Sequence, residues 1–205
     1  MDLDDLARAV SASGSARTIV GIAGPPGGGK TTLARALCEA TGFAHSPGDG
    51  FIIDASFADA DGTFRDRGTV SGFDTAGYAT LLRDVRRSYG TADVTVPNYR
   101  HTQDGAGADA WVVPREARGV VTECNFLGSG SHGWPEVRGH LDVLIYVDQT
   151  WEVCRPRLME RQLAKGRTPA EAATRVDSHD RENFLEATRA AALADFVVPG
   201  ANTLR

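Results

Sequence analysis

The stretch "TIVGIAGPPGGGKTTLARALCEA", residues 18 to 40, decides the fold. Its opening residues are apolar and β-branched, as in a strand buried on both faces, and "KTTLARALCEA" has the propensity and period of a helix. Between them "GPPGGGKT", residues 24 to 31, satisfies G-x-x-x-x-G-K-[ST] through Gly24, Gly29, Lys30 and Thr31. The glycines, Gly27 and Gly28 included, let the backbone curl until its N–H groups point inward at phosphate oxygens, and the helix that follows adds its positive end. In such a loop Lys30 bridges the β- and γ-phosphates, Thr31 holds Mg²⁺ and Thr32 reaches the α-phosphate. A flexible glycine turn with a solvated lysine is the bland alternative. It does not require a strand before the loop and a helix after it, and this chain supplies both.

Outward from the loop, "GVVTE" (119–123), "LDVLIYV" (141–147) and "ADFVVPG" (194–200) are apolar, β-branched runs with helical stretches between them. Strands alternating with helices imply a mostly parallel sheet covered on both faces, a three-layer α/β/α sandwich. Leu3, Leu6, Ala7 and Val10 share one face at helical spacing, so a short amphipathic helix opens the chain and ends near Gly14. At "TPAE", Thr168 caps, Pro169 suits the first helical position and Glu171 closes a capping box, which starts the last long helix.

With 205 residues, 41% hydrophobic and 24% charged, the chain has the size and composition of one large soluble domain. A formal charge of -5 gives no electrostatic reason to bind nucleic acid or an anionic membrane. Cys38, Cys124 and Cys154 are scattered, without C-x-x-C spacing, which argues against a disulfide framework or zinc. The acidic opening "MDLDDLARAV" is unlike a signal peptide, and "LDVLIYV" is too short to span a bilayer, so a cytoplasmic protein is expected.

"DTAG", residues 74 to 77, is the tetrapeptide of a GTPase switch loop, but that loop follows a buried strand, and "FRDRGTVSGF" before Asp74 has no strand pattern. Tyr78, Leu81, Leu82 and Val85 instead mark a helical face, with Asp74 as its N-cap and Phe73 and Tyr78 as a hydrophobic staple. No Asn-Lys-x-Asp motif for guanine occurs.

Other residues have two readings each. Asp49, in "SPGDGFIID", either accepts the proton of a hydroxyl near a γ-phosphate or bonds its own backbone in a turn. Glu123 ends a strand where ligand-facing carboxylates of open α/β sheets sit, or it is a solvated acid. Arg157, Arg161, Lys165 and Arg167 either close over transferring phosphates or form a solvated basic face. Trp134 and Phe126 line a pocket or pack in the core. His101 alone among the five histidines is a substrate-pocket candidate, since none has metal-ligand spacing.

Taken in order, "GPPGGGKTT", "DGF" (49–51), "GFDTAGY" (72–78), "VPNY" (96–99), "ECNFL" (123–127), "RLMERQLAKGRTPAEA" (157–172) and "DREN" (180–183) resemble the uridine kinase and phosphoribulokinase branch of the P-loop kinases, over about residues 18 to 198. The resemblance implies a P-loop fold with a five-stranded, mostly parallel sheet and a helical lid near 155–168. It implies transfer of the γ-phosphoryl group of ATP, with Mg²⁺, to a hydroxyl of a nucleoside, sugar or pantothenate-like metabolite, and a homodimer as the usual assembly. It puts Asp49 in the catalytic or substrate-orienting position and Glu123 with Thr31 and Asp49 at the metal. Arg157, Arg161 and Arg167 match the lid, and Phe51, Tyr99, Arg100, His101 and Asn125 fall at the acceptor. Arg100 stands where the family has aspartate, Ile52 where histidine or tyrosine often follows, and Cys124 where it has glycine. An anionic acceptor suits Arg100 better than a neutral nucleoside does. A nucleotide-binding regulatory protein without an acceptor is the second reading.

Overall fold

The computed structural model describes residues 1–53, 68–97 and 111–200. In chain order the first elements are helix α1 (Leu3–Ser11), strand β1 (Thr18–Ala23), helix α2 (Lys30–Thr41), strand β2 (Ala44–Pro47), a 3₁₀ turn (Gly48–Phe51) and helix α3 (Thr75–Arg87). They are followed by strands β3 (Val94–Val96), β4 (Trp111–Val113) and β5 (Gly119–Glu123), helix α4 (Trp134–Gly139), strand β6 (Val143–Asp148) and helix α5 (Trp151–Ala164). Helix α6 (Pro169–Arg175), a π turn (Val176–Asp180), helix α7 (Arg181–Thr188), a 3₁₀ turn (Arg189–Leu193) and strand β7 (Phe196–Pro199) complete the order.

Five strands form one parallel sheet in the order β2-β5-β1-β6-β7. Its strands read as apolar runs because both faces are covered, and the two-residue period sorts their side chains into two cores. Ile19, Val120, Leu144 and Tyr146 face the layer of α3 and α4. Val20, Ile22, Val121, Ile145 and Val147 face α1 and α2. Each fully buried aliphatic side chain of this kind contributes roughly 1.5–3 kcal/mol of transfer free energy. The opening helix buries Leu6, Ala7 and Val10, the face its spacing predicts. Arg17 ties the opposite end of the sheet together, its guanidinium donating to the carbonyls of Val85, Pro114, Arg115 and Ala117.

The connections that shape the site obey their local chemistry. Asp74 accepts the Gly77 N–H at 2.8 Å and caps α3, whose buried face is Tyr78, Leu81, Leu82 and Val85. The GTPase tetrapeptide is therefore a helix start. Thr168 and Glu171 form the capping box at α6, with Pro169 in the first turn. The last long helix expected from that point runs without a gap through α6, the π turn and α7, the backbone staying right-handed helical at Arg175, Val176, Asp180 and Arg181 while its period widens in the middle. Tertiary contacts hold this wide turn open: Arg155 donates twice to Asp177, at 2.7 and 2.8 Å, and Gln162 donates to Asp180 at 3.4 Å. Among the described residues no helix is long and apolar enough to cross a membrane.

Candidate active site

Three carboxyl-terminal strand ends converge, as expected where ligands bind an open α/β sheet. Strand β1 leads into the glycine loop, its neighbour β5 ends at Glu123 opposite Ile22, and β2 on the far side of β5 delivers Asp49. At Gly24, φ is 147° and a Cβ would meet the Val147 carbonyl oxygen at 2.8 Å, so only glycine turns the chain there. The α2 N-cap is Gly29, which has no side chain to cap the helix, so the N–H groups of that first turn are left to attract an anion. Asp49 is clamped by its glycine neighbours. A Cβ on Gly50 would collide with the Pro97 carbonyl, and one on Gly48 would crowd Tyr78 and the Glu123 carbonyl.

These residues line one cavity of about 530 Å³. Gly27, Gly29, Lys30, Thr31, Thr32, Asp49, Glu123, Asn125, Arg157 and Arg161 all contribute to it. Lys30 is buried, and its ammonium donates to the Pro25 carbonyl at 3.0 Å. Burial pushes its pKa down, opposed first by Glu123 and also by Asp49. Thr31 Oγ1 donates to Glu123 Oε1 at 3.1 Å. Burial raises the Glu123 carboxyl to about 7, against the pull of Lys30, Thr31 and Arg161. Arg157 donates to the Gly27 carbonyl at 3.1 Å, docking α5 onto the loop.

Several expected residues lie elsewhere. Phe51 is not a cavity residue: it is buried, with its ring stacked on Tyr78 at 4.5 Å, because the 3₁₀ turn points it into the core while Asp49 faces the opening. Ile52 and Phe73 supply the apolar cavity wall instead. Trp134 and Phe126 are core, and the Trp134 indole N–H donates to the Val70 carbonyl. Arg167 is exposed and donates to Gln162 Oε1 at 2.7 Å, away from the loop. Gly24 and Gly28 shape the loop from behind, Gly28 N–H bonding the Pro25 carbonyl. Tyr99, Arg100 and His101 lie outside the described residues. Sequence reasoning missed Gln162, Arg175 and His179, and left Asp180 and Asn183 without a role; all five line the cavity.

The donor set fits a nucleotide with a hard cation. The paired oxygens of Thr31 and Glu123 are hard donors beside an anion-binding loop. Residues 19–202 match the model of the "Phosphoribulokinase / Uridine kinase family". The chain belongs to that family. It is therefore a P-loop kinase by descent as well as by fold. Within and around the family, it is 31% identical to "Uncharacterized protein YggC" of Escherichia coli (strain K12), over 86% of this chain and 76% of that one. It is 26% identical to "Putative uridine kinase C227.14" of Schizosaccharomyces pombe, over 82% and 77%. A crystal structure of a "putative fructose transport system kinase" from Silicibacter sp. TM1040 superposes with a TM-score of 0.81 at 26% identity, covering 97% of this chain and all of that one.

Proposed function

We propose that this family member is an ATP-dependent kinase that transfers the γ-phosphoryl group to the hydroxyl of a small molecule. The observation that carries the reading is the convergence of Lys30, Thr31, Glu123 and Asp49 in one cavity beside the glycine loop. The loop N–H groups and Lys30 bind the phosphates of ATP, and Arg157 and Arg161 on α5 face the transferring group. Thr31 and Glu123 would hold Mg²⁺, which when bound supplies charge neutralisation at the phosphates.

Asp49 orients the acceptor hydroxyl and takes its proton as the oxygen attacks the γ-phosphorus. The bond from the γ-phosphorus to the β–γ bridging oxygen breaks, and ADP leaves with that electron pair. Little covalent chemistry is asked of the protein, so most of the rate comes from positioning and charge stabilisation. Lys30, Glu123 and Cys124 are buried at the loop end of the cavity, where reduced screening strengthens their electrostatic interactions. The absence of strong positive surface charge agrees with a small-molecule partner. A cytoplasmic location and a homodimer are part of the same proposal.

The test measures ADP release over a panel of alcohols with purified protein, followed by mass detection of the phosphorylated product. A kinase gives stoichiometric product with at least one acceptor, and Asp49→Asn lowers kcat by about 10²–10⁴. Slow hydrolysis that no metabolite stimulates, equal in Asp49→Asn, would replace this reading with a nucleotide-binding regulator.

A further inference from the structure

The cavity continues past the phosphate loop to a wall for which the transfer chemistry above has no use. Helix α5 runs between the two ends. Arg157 touches the loop through the Gly27 carbonyl, and Lys165 follows at the helix C-cap, roughly 12 Å further along the axis at 1.5 Å per residue. There the wall is formed by Gln162, Lys165, Arg175, His179, Asp180 and Asn183. Several of its polar groups already hold the scaffold together. Asn183 donates to the Gly68 carbonyl at 2.8 Å, and Asp180, which is buried, accepts from Gln162.

Lys165 and Arg175 are different. Among the described residues neither has a carboxylate within ion-pair distance, yet both line the cavity together with the half-buried His179 and with Asn183. Lys165 is crowded by cations: its pKa is pushed down by desolvation first, then by Arg161 and Arg167, with Asp180 offsetting this only in part. A neutral guest would leave two cations of the wall without a countercharge. A carboxylate or phosphate would take charge-assisted hydrogen bonds from them.

The backbone that presents these groups is itself unusual. Arg175 precedes the π turn and His179 lies within it, a geometry that recurs at functional sites because it re-aims side chains at the expense of helix regularity. The Arg155–Asp177 fork anchors this stretch from outside and the Gln162–Asp180 bond anchors it from the cavity side, which fixes the backbone that carries Arg175 and His179. The loop end has its own cations, Lys30, Arg157 and Arg161, for the triphosphate.

We propose that Lys165, Arg175 and His179 form a subsite for an anionic group of the acceptor, making the substrate a small hydroxylated anion such as a hydroxy acid or sugar phosphate. This rests on the kinase reading and names the acceptor class for the same cavity. The test uses matched pairs, glycerol with glycerate and ribose with ribose 5-phosphate, titrated calorimetrically into the full chain holding a non-hydrolysable ATP analogue. One charged member binds at least about tenfold tighter than its neutral partner, and Arg175→Ala weakens that ligand by about tenfold while the ATP analogue still binds within about twofold. Glycerate and ribose 5-phosphate separate the carboxylate from the phosphate source, and Arg175→Lys recovers part of the loss. Lys165→Ala, at an exposed position, repeats the measurement should Arg175→Ala fold poorly. Equal affinity within both pairs, no binding by either anion, or a loss confined to the ATP analogue overturns the subsite. Each of these leaves acceptor-stimulated ADP release, the test of the kinase reading, to stand or fall separately.

Discussion

The Thr31 hydroxyl donates to Glu123 Oε1 at 3.1 Å, joining the first turn of α2 to the end of the neighbouring strand β5. Burial lifts that carboxyl to about 7, so it is only partly ionised at neutral pH before a nucleotide and cation arrive. A hard cation binds the carboxylate and not the acid, so binding must expel a proton. Titrations of Mg²⁺ with ATP analogue, in buffers of different ionisation enthalpy, should show net proton release near pH 6.5. Apparent affinity should strengthen up to about tenfold per pH unit below 7 and level off above it. Glu123→Gln should bind more weakly and lose this slope; an unchanged slope in that variant would assign the proton elsewhere.

The same group sets the stability of the ligand-free protein in the opposite sense. The folded pKa of about 7 lies above the ordinary value of 4.5, so between these limits the native state holds a proton that the unfolded chain has released. The contribution is fully present below about pH 4.5 and is lost as pH rises through 7. The full swing is on the order of 3 kcal/mol. Chemical denaturation of ligand-free protein at pH 6 and pH 8 should therefore show Glu123→Gln gaining relative to the native sequence as pH rises. A difference between the two proteins that does not change with pH would contradict it.

How much of this was legible in the residues depends on whether local chemistry or tertiary contact made the choice. The cap at Asp74 and the box at Thr168 are decided within four residues of chain and the glycine loop within one contiguous stretch, and each forms as its pattern demands. Strand β2, "AHSP", has no strand pattern: it is an edge strand whose Pro47 is tolerated there, and pairing with β5 is what makes it a strand. Phe51 reads as a pocket aromatic beside Asp49, but a turn of 3₁₀ geometry sends adjacent side chains in different directions, and Tyr78 captures it. The π turn has no local signature either. Its extra residue is selected by Arg155 and Gln162, far off in sequence, which is why Arg175 and His179 escaped a reading based on a regular helical period.

Asp74 gives a direct check on the dismissed switch. As an N-cap it satisfies the Gly77 N–H, and its removal should cost about 1 kcal/mol, lowering Tm by about 2–4 °C for a chain of this size. Asp74→Ala measured by thermal melting should show that loss, and Asp74→Ser should restore most of it. Nucleotide preference and release rates should be unaltered. A variant that kept its Tm but changed its affinity for GTP against GDP would bring the switch back.

Beneath Asp49, Tyr78, Thr122 and Ser46 form a buried relay. Thr122 Oγ1 donates to the Ser46 carbonyl at 2.6 Å, so its one proton is committed, and Tyr78 must be the donor in the 2.5 Å contact between the two hydroxyls. The two ends of the relay are therefore unequal. Tyr78→Phe removes a donor and leaves Thr122 still satisfied through Ser46, costing about 1 kcal/mol. Thr122→Val, nearly the same size, strands both the Tyr78 O–H and the Ser46 carbonyl in the core, costing about 2–4 kcal/mol. Because β2 hands the chain directly to the turn bearing Asp49, the second variant should also lower kcat where the first barely changes it. Urea denaturation of the two variants beside the native sequence, with ADP release measured on each, checks the order, and equal losses in stability would show that the proton does not run from Tyr78 to Thr122 to Ser46.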